Sequence, residues 1–439
     1  MRYRILSVVA VVMLFIAGGL SQERQSDSSD RKKQGEEKGD KSTTRSYEKQ
    51  TDEGSSSAGW SFGDAVSQDF RNHVGFSIGA YEIYARNQYP DLGYSSSVML
   101  TAFYPRVFAN FGRRRSRLNL GYGYGYGFDN KDASRHTQEQ TATVDYSYAA
   151  TRSWTFRLSD YLFSSPNYYG SILQPIFSPG YVPPIYTSGT VRLGQRQLRN
   201  DLSGSIGRQL TRKTNFSVFA NYYLYRYETD SLYNGEGASV GASFGYQPKK
   251  WLTISTSYSR VLVNTDPRYS DATINRVQVG QFDFRLSSRW RAACGGGVDI
   301  ASYYGQTYTY ANANASLSRS SRNNTLSFNY NRGFSTSIGT SRLYKSDSVT
   351  ANFGQRIQRR ISFMASASYW HNADLYAGGY NALIARAGLE FLLAHSLVAS
   401  AQYAYQHQLS RYQDTSYVPD VSQNLVYFGL QYFWPGARQ

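Results

Sequence analysis

From His73 to Trp434 the chain alternates apolar residues with small polar ones, and the alternation restarts repeatedly after a short basic turn. In Leu118 to Phe128 the alternate positions are Leu118, Leu120, Tyr122, Tyr124, Tyr126 and Phe128, with only Asn119 and glycines between them. Phe216, Val218, Ala220, Tyr222 and Leu224 share a face against Ser217 and Asn221, as Leu397, Ala399, Ala401, Tyr403 and Tyr405 do against Ser400 and Gln402. Period two is the mark of a β-strand with two unlike faces. The restarts include Thr151-Arg-Ser-Trp154, Lys249-Lys-Trp-Leu252, Ser288-Arg-Trp-Arg291, Arg359-Arg-Ile361 and His395-Ser-Leu397. From Arg289 onward they stand about 32 to 40 residues apart, so one supersecondary unit, a pair of strands, is used many times.

Two architectures carry such a pattern: a soluble antiparallel sheet wetted on one face, or a barrel with lipid outside and water inside. A soluble sandwich packs two apolar faces together and covers its outside with long charged side chains. Here the polar face is Ser, Thr, Asn, Gln and Gly, while the apolar face ends in Tyr and Trp; the chain has 40 Tyr and 38 Gly. The fold class is therefore all-β, a transmembrane antiparallel up-and-down β-barrel. Eight short turns, centred near Arg114, Arg152, Arg212, Lys249, Arg289, Ser321, Gln358 and His395, join sixteen strands. An opening strand near 73–84 and a closing one near 422–434 raise the count to about eighteen, with sixteen as the alternative.

The preceding residues read differently. Met1 to Arg4 carries two Arg, Ile5 to Ile16 is apolar and Ala17-Gly18-Gly19 is small, so 1–19 reads as a secretory signal peptide. Residues 20–58 are nearly free of apolar side chains and read as a disordered periplasmic linker. In 59–72, Phe62, Val66 and Phe70 fall on one helical face behind Ser61; the segment is a short helix or an irregular lead-in. Residues 435–439 form a C-terminal extension. No stretch after residue 20 is apolar enough to cross a bilayer as a helix. Cys294 is the single cysteine, which excludes an internal disulfide.

The net charge of +16 does not point to nucleic acid, because the chain is exported and its Lys and Arg gather in the short turns. Those turns and the tail lie on one side, expected to be the periplasm. The longer connectors, at 85–94, 129–137, 163–189, 229–237, 264–273, 337–347, 372–380 and 409–421, face out. Segment 163–189, with Pro175, Pro179, Pro183 and Pro184, is either a constriction folded into the channel or an ordinary external loop. Trp154, Trp251 and Trp290 each open a strand after a basic turn, and Trp434 returns to their level at the end of the last strand. Together they read as a membrane girdle.

With the signal peptide and the alternating strands, the closing Leu425-Val-Tyr-Phe-Gly-Leu-Gln-Tyr-Phe-Trp434 resembles a bacterial outer-membrane β-barrel of the porin-like type, a large barrel without a substrate motif. The resemblance implies that Phe433 and Trp434 are the signal read by the barrel-assembly machinery, although Pro435 to Gln439 extend beyond the usual aromatic end.

Inward positions are mostly small, including Gly121, Gly123, Gly125 and Gly127, which leaves an aqueous channel through about eighteen strands. The inward charges are Asp145, Arg157, Asp283, Arg285, Asp299, Arg356, Arg386 and Glu390. Their mixed signs argue against a strongly ion-selective ring, and Asp283 with Arg285, like Arg386 with Glu390, reads as a wall-bracing pair. No His or Cys pair has metal-ligand spacing, and no cofactor is expected. His136 near Asp132 and His371 near Asp374 are the candidates for a rim hydrolase. The expected function is an outer-membrane pore for small hydrophilic solutes, with outer-membrane lipids and the assembly machinery as partners. The alternatives are a non-conducting barrel of an export complex, for instance for polysaccharide, or of an adhesion complex, with a periplasmic partner for the tail 20–58, and, behind it, the rim hydrolase.

Overall fold

The structure, a computed structural model, describes residues 73–89, 94–130, 136–166, 196–227, 234–264, 272–337, 342–375, 378–410 and 420–434. Segments 1–19, 20–58, 59–72 and 435–439 lie outside the described residues, as does 167–195, which holds most of connector 163–189.

Eighteen strands make up the described residues: β1 (His73–Tyr89), β2 (Tyr94–Gly112), β3 (Ser116–Asp129), β4 (His136–Ala149), β5 (Trp154–Pro166), β6 (Arg196–Gln209), β7 (Thr214–Tyr227), β8 (Gly235–Lys249), β9 (Leu252–Asn264), β10 (Ala272–Arg285), β11 (Trp290–Tyr303), β12 (Gln306–Ser320), β13 (Asn324–Ser337), β14 (Arg342–Gln358), β15 (Ile361–Asp374), β16 (Gly379–Ala394), β17 (Leu397–Ser410) and β18 (Val421–Trp434). Each pairs antiparallel with the next, and β18 pairs with β1, so the sheet closes into a barrel. The closed antiparallel barrel expected from the alternation holds, with eighteen strands rather than sixteen.

Exposure sorts the two faces. Leu120, Tyr122 and Tyr126 on β3, Val240, Phe244 and Tyr246 on β8, and Phe428, Leu430, Tyr432 and Trp434 on β18 are all exposed, and their immediate neighbours point inward. Val107, Val240, Phe428 and Leu430 leave half or more of their surface uncovered. An apolar band of this extent on an outer wall suits lipid and not water.

Hydroxyl groups shape four of the eight short turns. Thr151 Oγ1 accepts the N–H groups of Ser153 and Trp154 at 3.2 and 3.1 Å, and Thr211 Oγ1 accepts those of Lys213 and Thr214 at 3.1 Å. Ser287 Oγ takes the N–H groups of Arg289 and Trp290, and Ser321 Oγ that of Asn324. A hydroxyl bonded two and three residues ahead closes the chain without help from the basic residue beside it.

Eighteen strands need nine connections on the opposite rim, one more than the long connectors read from the sequence. The ninth is only two residues, Tyr304 and Gly305, between Tyr303 and Gln306. Both have positive φ, 50° and 72°, the requirement of a type I′ hairpin turn. One further irregularity matters for the lumen: the register of β10 shifts between Gln278 and Gly280. Above this bulge even-numbered residues face inward and below it odd-numbered ones do, so Arg276 joins Asp283 and Arg285 on the inner wall.

Candidate functional site: the barrel lumen and its mouth

Register places Asp145, Arg157, Asp283, Arg285, Asp299, Arg356, Arg386 and Glu390 on the inward face. It also places there Arg106, Glu139, Arg199, Asp201, Arg276 and Asp374, which the sequence reading did not single out. On this face Arg199 pairs with Asp201 at 2.5 Å, Arg276 with Asp299 at 2.7 Å, and Arg342 with Asp374 at 2.5 Å. Glu390, expected to brace against Arg386, accepts a hydrogen bond from Ser362 Oγ at 3.1 Å.

The inward face of β3, which has only glycines from Gly121 to Gly127, is partly covered by a neighbouring ring. Tyr104 of β2 lies across it: a Cβ on Gly123 would sit 2.9 Å from the Tyr104 ring, and one on Gly125 would sit 2.7 Å from it. Its hydroxyl reaches Thr141 Oγ1 at 2.8 Å. Tyr81 covers Gly79 and Gly429, and Tyr223 covers Gly237, in the same way. An inward glycine is thus a seat for a neighbouring ring. Part of the inner wall is apolar as well. Ile83, Leu100, Leu425 and Tyr427 form a buried cluster on the β17–β18–β1–β2 side.

A second inward cluster alters the mouth. Val261, Ile274, Ala301 and Tyr303 from β9 to β11 pack with Phe334 of β13 and Leu343 of β14, although β12 separates β11 from β13 in the wall. The explanation lies in the register: β13 pairs with β12 only from Ala313↔Arg332 down to Ser320↔Thr325. Above that level β13 leaves the wall and passes inside, still paired with β14 up to Ser337↔Arg342. Phe334, whose parity would turn it outward, instead meets the inward ring of Tyr310 at 5.5 Å. Arg332 and Lys345 also stand over that ring, at 4.8 and 5.7 Å.

Asp299 holds the displaced strand. Its carboxylate, fully buried, accepts bonds from Arg276 Nε and Nη2 at 2.9 and 2.7 Å, from Asn312 Nδ2 at 2.8 Å and from the Phe334 backbone N–H at 2.9 Å. Arg276 Nη2 donates also to Phe334 O at 3.1 Å. The backbone comes this close because the preceding residue is glycine: a Cβ on Gly333 would lie 2.7 Å from Asp299 Oδ2 and 2.9 Å from Arg276 Nη2. On the other flank Tyr344 packs edge-on against Tyr380 at 5.5 Å, beside Trp370.

The remaining expected residues are placed as follows. Trp154 and Trp290 are the first residues of β5 and β11, Trp251 precedes β9 and Trp434 ends β18, all on the rim of the short turns. Arg208, Lys249 and Arg319 lie over the rings of Trp154, Trp251 and Trp290 at 5.0, 5.4 and 5.6 Å. Phe433 points inward and is buried, whereas Trp434 is exposed and stacks on Phe76 at 5.7 Å. His371 and Asp374 do not meet: His371 faces outward and its Nδ1 lies 2.7 Å from Asn381 Oδ1, while Asp374 faces inward onto Arg342. His136 stacks on Tyr126 at 6.1 Å, and Asp132 lies outside the described residues.

Among solved structures, the chain is similar to Acinetobacter baumannii OccAB4, with 8% identity over 84% of this chain and 100% of that one and a TM-score of 0.44. It is also similar to Pseudomonas aeruginosa OccK2 (OpdF), solved in complex with glucuronate, with 8% identity, 82% and 98% coverage and a TM-score of 0.45. A third is Pseudomonas aeruginosa OpdQ, with 11% identity, 82% and 98% coverage and a TM-score of 0.44. No family model and no curated relative matches the sequence.

Proposed function

We propose that this protein is an outer-membrane pore that passes small hydrophilic solutes by diffusion. The observation that carries the reading is a closed eighteen-strand barrel, apolar outside, with charges of both signs along its inner wall. Sixteen to eighteen strands enclose more space than wall side chains fill, which supports an aqueous path. The narrowing falls to the inward end of β13–β14, in addition to whatever connector 163–189 contributes. Solutes are then sorted by size, with the paired charges inside bracing the wall more than selecting an ion.

The rim of short turns faces the periplasm in this reading, with the tail 20–58 on the same side. Its Trp residues and the cations stacked on them form the girdle at that headgroup boundary. Phe433 and Trp434 serve as the assembly signal. Planar-bilayer recording of the refolded barrel tests the function: stable open steps are expected. A correctly folded barrel that stays silent points instead to an export or adhesion component.

A further inference from the structure

The two halves that separate above Ala313 and Arg332 are complementary. Extending the existing register pairs Asn312 with Gly333, Ala311 with Phe334, Tyr310 with Ser335 and Thr309 with Thr336, and it restores each of these residues to the face its parity demands. The strand that would receive β13 is vacant among the described residues: Gln306 to Asn312 pair only with β11, and Thr307, Thr309 and Ala311 are exposed.

Each arrangement satisfies what the other leaves open. Tucked inside, β13 gains the Asp299 carboxylate, the apolar cluster on β9 to β11 and the ring of Tyr310. In exchange the edge of β12 loses its ladder, and buried Ser335 Oγ has no hydrogen-bond partner. Zipped onto β12, the strand would recover the ladder and release this hydroxyl. Asp299 would keep Arg276 and Asn312, which belong to the fixed wall. Two packings that trade one set of bonds for a comparable set are the ingredients of a bistable element.

We propose that residues 333–337 of β13 form a two-position gate, latched inward by Asp299 and opened when they zip onto the free edge of β12. The gate rests on the pore reading above, but its motion does not. In the open position the segment becomes wall and the mouth widens. Asp299 is a positioning residue, acting on the solute path through the backbone of Phe334.

The double substitution Thr309→Cys and Thr336→Cys, in a Cys294→Ser background, tests the motion directly. Thr309 is exposed on the outer face and Thr336 is buried inside, so a disulfide requires the extended register. The folded barrel in membranes is expected to cross-link slowly. Asp299→Asn should raise the cross-linking rate about tenfold or more, since bonds to a charged group are worth more than one decade in an equilibrium. Gly333→Ala, which pushes the backbone off the latch by an independent route, should act in the same direction. Absence of the cross-link in all of these barrels, with folding verified by heat-modifiable electrophoretic mobility, overturns the gate. When the cross-link forms, oxidised channels should conduct more than reduced ones. Equal conductance overturns the gating role, and a barrel that cross-links but is silent in both states sinks the pore reading while leaving the motion in place.

Discussion

The barrel has two seams that contrast sharply. β1 and β18, the strands farthest apart in sequence, are zipped from Phe76↔Trp434 to Gln88↔Ser422. β12 and β13, joined by a turn of three residues, stay together only from Ser320↔Thr325 to Ala313↔Arg332. Loop-closure entropy favours the local pair, so distance along the chain does not decide where the wall opens. The decision is made by what competes for the strand. No described residue pulls β18 off β1, where Tyr81 lies on Gly79 and Gly429 and bridges the seam. At β13, a buried carboxylate on β11, a glycine that lets the backbone reach it and an apolar cluster all pull inward.

The largest break in this contrast comes at the closing seam. Truncation after Ser410 removes β18 and leaves β1 and β17 as open edges, so no heat-modifiable barrel should form and the protein should not integrate into membranes. Next comes the ring seat beside that seam. Gly125→Val places a side chain 2.7 Å from Tyr104 and should cost about 1 to 3 kcal/mol in urea unfolding from detergent, as overpacking does. Gly112→Ala, which meets nothing within 4 Å, is the matched control and should change little. Smallest is the turn chemistry shared by both halves of the barrel. Thr211→Val removes an acceptor for two N–H groups in a solvated turn and should cost about 1 kcal/mol or less by the same measurement.

Much of this architecture is legible in the sequence, because period two assigns a face to nearly every strand residue without knowledge of its neighbours. The eight short turns and the apolar outer band follow from that alone. What the pattern misses are departures from strict alternation and pairings set across strands. The bulge between Gln278 and Gly280 is a single inserted residue, yet it turns Arg276 inward and so creates the partner of Asp299. A glycine interrupting an otherwise regular strand was the available signal. Tyr304-Gly305 was hidden by its brevity, since a connection sought by length is missed when it is two residues long. Parity correctly turns Tyr104 inward but does not reveal that it lies on the glycines of β3; that depends on β2–β3 register. Phe334 is the opposite case. Its parity puts it outside, and the pull of Asp299 and of the apolar cluster on β9 to β11 carries it in.

Amide hydrogen exchange along β12 in the folded, membrane-inserted barrel tests the split wall most directly. On this strand the odd-numbered N–H groups point toward β13, as the Ser321 N–H does, and the even-numbered ones toward β11, as the Ser320 N–H does. The account predicts slow exchange at Ala313, Ala315 and Leu317, which are paired with β13, and fast exchange at Thr307, Thr309 and Ala311, which are not. Uniform protection from Thr307 to Leu317 would contradict it, because the wall would then be zipped to its rim and the hairpin could not occupy the mouth.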